Sequence, residues 1–304
     1  TASIADALMS GLALFSLKDP SLLAFESRRT DEPIKSIYRI GHIPSDTNMR
    51  MTLDEVEPST LYPIFKKVLA KLQRGKGLEN MVFYKGHYLI SNDGTGYFSS
   101  EKVHCKECLV KEHKNGHTEY HHSFLGSVIV HPDHREVIPL CPEPIKNTDG
   151  GAKNDCERNA SKRLLARFRR EHPHLRAIVV EDALASNAPH IRELERHDLR
   201  YIIGIKPGSH AWLYSLLNET PTEKHRVVDE DGTVHRFRFL TNVTLNESHL
   251  DVLVNVIEYW EEKPCGTTQH FAWVTDLQVT KDNVYTLMRG GRARWKIENE
   301  TFNT

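Results

Sequence analysis

The sequence predicts an α/β protein: a mixed sheet flanked by helices, with a β-rich insertion before the last helix and a helical N-terminal region. Three observations carry this. Residues 1 to about 80 read as helices, without strand-like runs. From residue 81 the apolar runs follow the order three strands, helix, strand, helix, strand, the pattern of a sheet covered by helices. Residues 222–280 then break that order with hairpin-like runs.

In the first region Ile4, Ala7, Leu8, Gly11, Leu12 and Phe15 repeat at three and four residues, which predicts a core helix. The run 52–72 has the same periodicity, but Pro58 and Pro63 divide it into two helices. After the turn residues 74–77, strands are expected over 81–84 and 87–90, interrupted at 91–96. Residues 120–130 and 136–141 form a hairpin about His131-Pro-Asp-His134, next to the first strand. A helix over 154–170 follows, then a buried strand over 176–180 ending at Glu181-Asp182. A helix over 189–195 and a buried strand over 201–205 complete the alternation. Within the insertion, Asp231-Gly232 turns one hairpin, and 251–260 and 270–276 read as further strands. The last helix begins near Asn283. The domain division is therefore 1–80 and 81–304, with the insertion at about 208–272.

Composition narrows the function classes. The 304 residues suffice for one large domain or two ordinary ones. The net charge of -1 gives no bulk attraction to nucleic acid, so any such surface must come from local clusters of Lys and Arg. No stretch approaches the ~20 apolar residues of a membrane span. Five cysteines, two of them in Cys105-x-x-Cys108, point to a reducing, cytoplasmic compartment rather than a disulfide framework. Thr1 at the start, and a helical stretch over 295–304 without a stop signal, read as a chain cut at both ends.

Three carboxylates stand out by position. Asp93 follows a strand, Asp182 ends another, and Glu298 lies on the last helix. Carboxylates gathered from two strand ends and a helix can hold two hard cations ~3.5–4 Å apart. Position alone also allows an Asx-type turn over Gly94 for Asp93, and a cap on the following helix for Asp182.

The local words say more. Asn92-Asp-Gly-Thr-Gly-Tyr-Phe-Ser-Ser100, Val180-Glu-Asp-Ala-Leu-Ala185 and Arg292-Ala-Arg-Trp-Lys-Ile-Glu-Asn299 together resemble the cut-and-paste DDE transposases of bacterial insertion sequences, of the family-four type. The resemblance covers roughly residues 85–304 and includes Arg294-x3-Glu298; Gly291 stands where the family has Tyr, and the family's Lys lies beyond Thr304. It implies a ribonuclease-H-like catalytic domain with a β-strand insertion. It implies Asp93, Asp182 and Glu298 as ligands of Mg2+ or Mn2+, and Arg294 on a DNA phosphate. It also implies double-stranded DNA as partner (terminal inverted repeats and target), a homodimer in the DNA complex, and a nucleoid-associated place in a bacterial cytoplasm. Residues 1–80 would bind the repeats or dimerise. The same carboxylates would equally serve a metal-dependent nuclease without strand transfer, or persist in an inactive DNA-binding descendant.

Further DNA contacts are expected from two basic clusters. One is Lys162, Arg163 and Arg167, whose alternative is a solvated helix face paired to Glu157 and Glu171. The other is Arg292, Arg294 and Lys296 beside Glu298. Trp260 and Trp273 are candidates to stack a flipped base, as family members that make hairpin ends do, or else core residues. Asp155-Cys-Glu157 after Lys153 is a further family-like word, and helix capping is its simple account. Cys105 and Cys108, followed by His113, His117, His121 and His122, offer a candidate zinc set, drawn as Cys105, Cys108, His113 and His122. The alternative is a loop with two reduced thiols and exposed histidines.

Overall fold

The computed structural model describes residues 2–150 and 153–303, with side chains from 156 onward in the second stretch. The chain divides into two compact units, Thr1–Ile64 and Phe65–Thr304.

The first unit is helical. Ser3 and Asp6 form a capping box that starts α1 (Ile4–Leu17), and Ser21, Asp31 and Ser45 cap α2 (Leu22–Glu26), α3 (Glu32–Tyr38) and α4 (Asp46–Asp54). Its core gathers Ala13, Leu14, Phe25, Ile34, Ile40 and Ile43. The face α1 buries is Ala7, Ser10, Ala13 and Leu14, so Ile4, Leu12 and Phe15 of the predicted core stripe are exposed in this unit. Pro58 opens a short 3-10 turn (Pro58–Leu61) and Pro63 sits in the first turn of α5 (Tyr62–Arg74), where a missing N–H does no harm. The unit boundary falls within α5, earlier than the expected 80, because Leu69, Leu72 and Leu78 pack into the core of the sheet.

The second unit is a mixed α/β body: a large mixed sheet flanked by helices. A short β1 (Val82–Tyr84) turns at Lys85 and Gly86 into β2 (His87–Ser100). Next come β3 (Leu109–Glu112), β4 (Thr118–His131), β5 (His134–Pro139) and β6 (Glu143–Ile145), all antiparallel to β4 or within its hairpins. Helix α6 (Lys153–Glu171) leads to β7 (Ala177–Glu181), α7 (Ala188–Arg196) to β8 (Arg200–Gly204), and α8 (Ala211–Glu219) to the insertion. The insertion is β9 (Glu223–Val228), β10 (Val234–Asn246), β11 (His249–Glu262) and β12 (Thr268–Thr275). The strand order is β3-β4-β2-β7-β8-β12-β11-β10-β9, so the insertion extends the same sheet past β8. Strands β2, β7 and β8 run parallel. Asn283 leads into α9 (Val284–Arg292), which continues through a 3-10 turn (Ala293–Trp295) to a π-type turn (Glu298–Phe302).

Strand alternation divides the core in two. Ile90, Ala177, Val179, Tyr201 and Ile203 face Leu165, Phe168, Ile191, Leu194, Leu213 and Leu217 on α6, α7 and α8. Leu89, Ile178, Val180 and Ile202 face Val284, Leu287, Met288 and Ile297 on α9 and its continuation. Residue parity on β2 and β7 therefore decides which layer a side chain meets.

Close approach fixes α9. A Cβ on Gly291 would lie 2.6 Å from Trp273 Nε1, so neither the family's Tyr nor alanine fits there without displacement. Trp273 is a buried core residue beneath this glycine. Gly291→Ala is expected to lower the unfolding free energy by about 1–3 kcal/mol, the usual range for overpacking. Gly208→Ala, where no atom lies within 4 Å of the added carbon, serves as the control in denaturant titration.

Candidate active site

Three rungs pair Leu89, Ile90 and Ser91 with Ile178, Val179 and Val180 on parallel neighbouring strands. The same register sets Asn92 beside Glu181, which their hydrogen bond at 2.9 Å bears out. Asp93 follows within β2, and Asp182 comes just past the end of β7. By alternation Asp93 follows Leu89 and Ser91 toward the α9 face, where Arg294 and Glu298 meet it. Ser91 Oγ donates to the Arg294 carbonyl at 2.9 Å, which seats the Ala293–Trp295 turn over β2. Gly126, opposite Asp93 on β4, lets Phe302 lie where a Cβ would be only 2.7 Å from its ring. These contacts bring Glu298 down onto Asp93.

Arg294 joins the two. Its Nη2 lies 2.9 Å from Glu298 Oε1 and its Nη1 3.4 Å from Asp93 Oδ2. Burial pushes the Asp93 carboxyl up to about 6; Arg294 opposes this, and the adjoining Glu298 carboxylate adds to it. Asp182 accepts from Leu184 N–H at 2.9 Å in an Asx-type turn, while Asn187 caps α7. Asp93 accepts from Gly94 N–H at 3.0 Å. Both turn contacts therefore coexist with a shared site. Asp93 and Asp182 line one cavity of about 70 Å³. The three carboxylates do not form a set with every ligand oxygen within 4.8 Å of the others. Asp93 and Glu298 are the two that meet, about Arg294.

Asp93 is not at a strand end. β2 runs on through Gly94 and Gly96 to Ser100, because β4 supplies partners along that length. Tertiary pairing overrides the turn signal of the two glycines.

Sequence reasoning missed what lies on the other face. Glu181 accepts from Asn92 Nδ2 and contacts His190 Nε2 at 2.5 Å, all three buried. Burial pushes Glu181 up, but His190 beside it holds the carboxyl below its ordinary value; burial pushes His190 down, and Glu181 raises it above. This pair braces the strand ends beneath Asp93 and Asp182. Glu157 also lines the cavity, over Gly94. The side chains of Lys153, Asn154 and Asp155 in the same word lie outside the described residues.

The expected DNA-contact residues separate. Arg163 and Arg167 do not face solvent as a phosphate track. Arg163 donates to Glu143 at 2.6 Å and Asp149 at 2.5 Å, and Arg167, 6% exposed, donates to Glu143 at 2.6 Å and the Pro142 carbonyl at 2.7 Å. Folding buries these cations because β6 and its flanking loop carry the matching carboxylates. Lys162 alone of the three points outward. Arg292 is held at 2.5 Å by Glu261 and stacks on Phe271, and Lys296 donates to the His134 carbonyl. Trp260 stacks on His270 and Arg238. Its parity with Val256 puts it on the α7–α8 face, away from the carboxylates. The exposed aromatic near the site is instead Trp295, 52% exposed, beside Arg294 and edge-on to Phe271.

Of the candidate zinc set, Cys105, Cys108 and His122 come together. His113 does not; Glu119 takes its Nε2 at 2.7 Å across the β3–β4 ribbon.

No family model matches this sequence, and no curated protein matches it. Among solved structures the chain is similar to the NurA nuclease from Sulfolobus solfataricus, with a TM-score of 0.34 and 8% identity, covering 76% of this chain and 84% of that one. A likeness that low says nothing about chemistry. Among the described residues no helix is long and apolar enough to cross a membrane.

Proposed function

We propose that the protein is a metal-dependent DNA-cleaving and strand-transferring enzyme, a DDE transposase of the insertion-sequence family-four type. The observation that carries the reading is the meeting of Asp93 and Glu298, 205 residues apart in sequence, about Arg294, with Asp182 lining the cavity that Asp93 also lines. The strand order supports a ribonuclease-H-like core: an antiparallel meander of β2, β4 and β5, then parallel β7 and β8 on the other side of β2. The strand insertion between Asp182 and Glu298 supports the finer family reading.

The donor set fits a hard divalent cation. Two adjoining carboxylates share a single neighbouring guanidinium, one of them is pushed up by burial, and all ligands are oxygens. Asp93, Asp182 and Glu298 would hold Mg2+ or Mn2+, which supplies activation of a water or hydroxyl and stabilisation of the leaving oxygen. The chain's own contribution is positional. Pairing with β4 and β7 fixes the strand that carries Asp93, and Ser91 and Gly126 fix the segment bearing Glu298. Arg294 balances the carboxylates and, with cations bound there, would be free to contact a DNA phosphate.

The test is incubation of the purified protein with linear DNA carrying the element's ends and a supercoiled target, with and without Mg2+. Mg2+-dependent cleavage followed by joining of the 3′ end to target DNA is expected. Cleavage without joining would favour a nuclease of the same architecture. No cleavage, with no divalent ion bound at millimolar concentration, would favour an inactive DNA-binding descendant.

A further inference from the structure

We propose that Cys105, Cys108 and His122 bind a structural zinc ion that clamps the tip of the β2–β4 ribbon. The three ligand atoms form a nearly equilateral triangle. Cys105 Sγ and Cys108 Sγ are 3.7 Å apart, and His122 Nε2 lies 3.3 and 3.4 Å from them. A cation ~0.8 Å above that plane lies ~2.1–2.2 Å from all three atoms, within the range of Zn–N and Zn–S bonds. The Cys105 amide donates to Cys108 Sγ at 3.3 Å. The Tyr97 ring stacks on His122 and fixes its plane.

A second observation says why a clamp is needed. From residue 95 to residue 124 the one buried side chain is Cys108. The ribbon tip has no apolar core of its own, and segments that small are held by a staple such as a metal. The site ties the irregular segment between β2 and β3 to β4, through Phe98 opposite His122 and Leu109 opposite His121. It thereby braces the strand that carries Asp93. Two other histidines are engaged elsewhere: His113 pairs with Glu119, and His104 stacks on Tyr120. No fourth Cys, His, Asp or Glu joins the group among the described residues, so water on the exposed Cys105 side completes a tetrahedron.

The test uses the full chain, purified without added chelator and analysed for metals by mass spectrometry. About one zinc per chain is expected, unchanged in His113→Gln and Asp93→Asn, and lost in Cys108→Ser and in Cys105→Ser. Cobalt substitution is expected to give thiolate-to-metal charge-transfer absorption, lost in the same two variants. Chelation is expected to speed tryptic cleavage at Lys102, Lys106 and Lys111 at least tenfold, and zinc alone to reverse it. Absence of stoichiometric zinc with a Cys105–Cys108 disulfide would overturn the proposal, as would full zinc retention in Cys108→Ser. Because Asp93→Asn keeps its zinc, the outcome is independent of the carboxylate site.

Discussion

Asp93→Asn is expected to lower Mg2+-dependent DNA cleavage at least ~1000-fold, since a catalytic metal supplies several kcal/mol and each 1.36 kcal/mol is tenfold. DNA binding should persist, because phosphate contacts carry most affinity. The same substitution should stabilise the metal-free protein at neutral pH. Folding raises the Asp93 carboxyl to about 6 from an ordinary 3.8, chiefly by burial and with Glu298 adding to it. A raised carboxyl contributes stability that is present below pH ~4 and lost as pH rises through ~6. Wild type should therefore lose up to about 2–3 kcal/mol over that window relative to Asp93→Asn, and the difference should stay constant above it. Saturating Mg2+ should reverse the order, stabilising wild type only. Thermal unfolding at pH 4, 6 and 8, with and without Mg2+, checks this. A pH-independent difference between the two proteins would remove Asp93 from the charged cluster.

Arg167→Leu is expected to lower the unfolding free energy by about 3–5 kcal/mol, the range for breaking a buried ion pair from one side. Glu143 is 5% exposed and would keep one fewer partner, and two carbonyls on the loop before β6 would lose a donor. Lys162→Ala, on the exposed side of α6, should stay within about 0.5 kcal/mol of wild type. If α6 instead tracked DNA through Arg167, the leucine variant would fold normally, bind DNA more weakly and show a shallower salt dependence. Urea titration together with DNA affinity at two salt concentrations separates the two outcomes.

The basic helix shows where sequence reading stops. Lys162, Arg163 and Arg167 are alike as letters, and only the loop carrying Glu143 and Asp149 decides that two of them turn inward. The Ser91–Gly96 stretch is similar. Its glycines read as a turn, and β4 makes it a strand. Trp260 and Trp273 were interchangeable until parity on β11 and β12 sent them to opposite faces.

What the sequence determined by itself was the order of most elements, α8, β3 and β6 aside, and the carboxylates worth following. Apolar period and proline position are local, so the two helices about Pro58 and Pro63, the alternation after 81 and the strand-rich insertion were all legible. The tertiary structure decided which residues meet. Gly126 and Gly291 let the last helix descend until Glu298 reaches Asp93. It also replaced His113 in the cysteine cluster with Glu119's claim on that ring. Such pairings depend on backbone approach between segments a hundred or more residues apart, which no local pattern encodes.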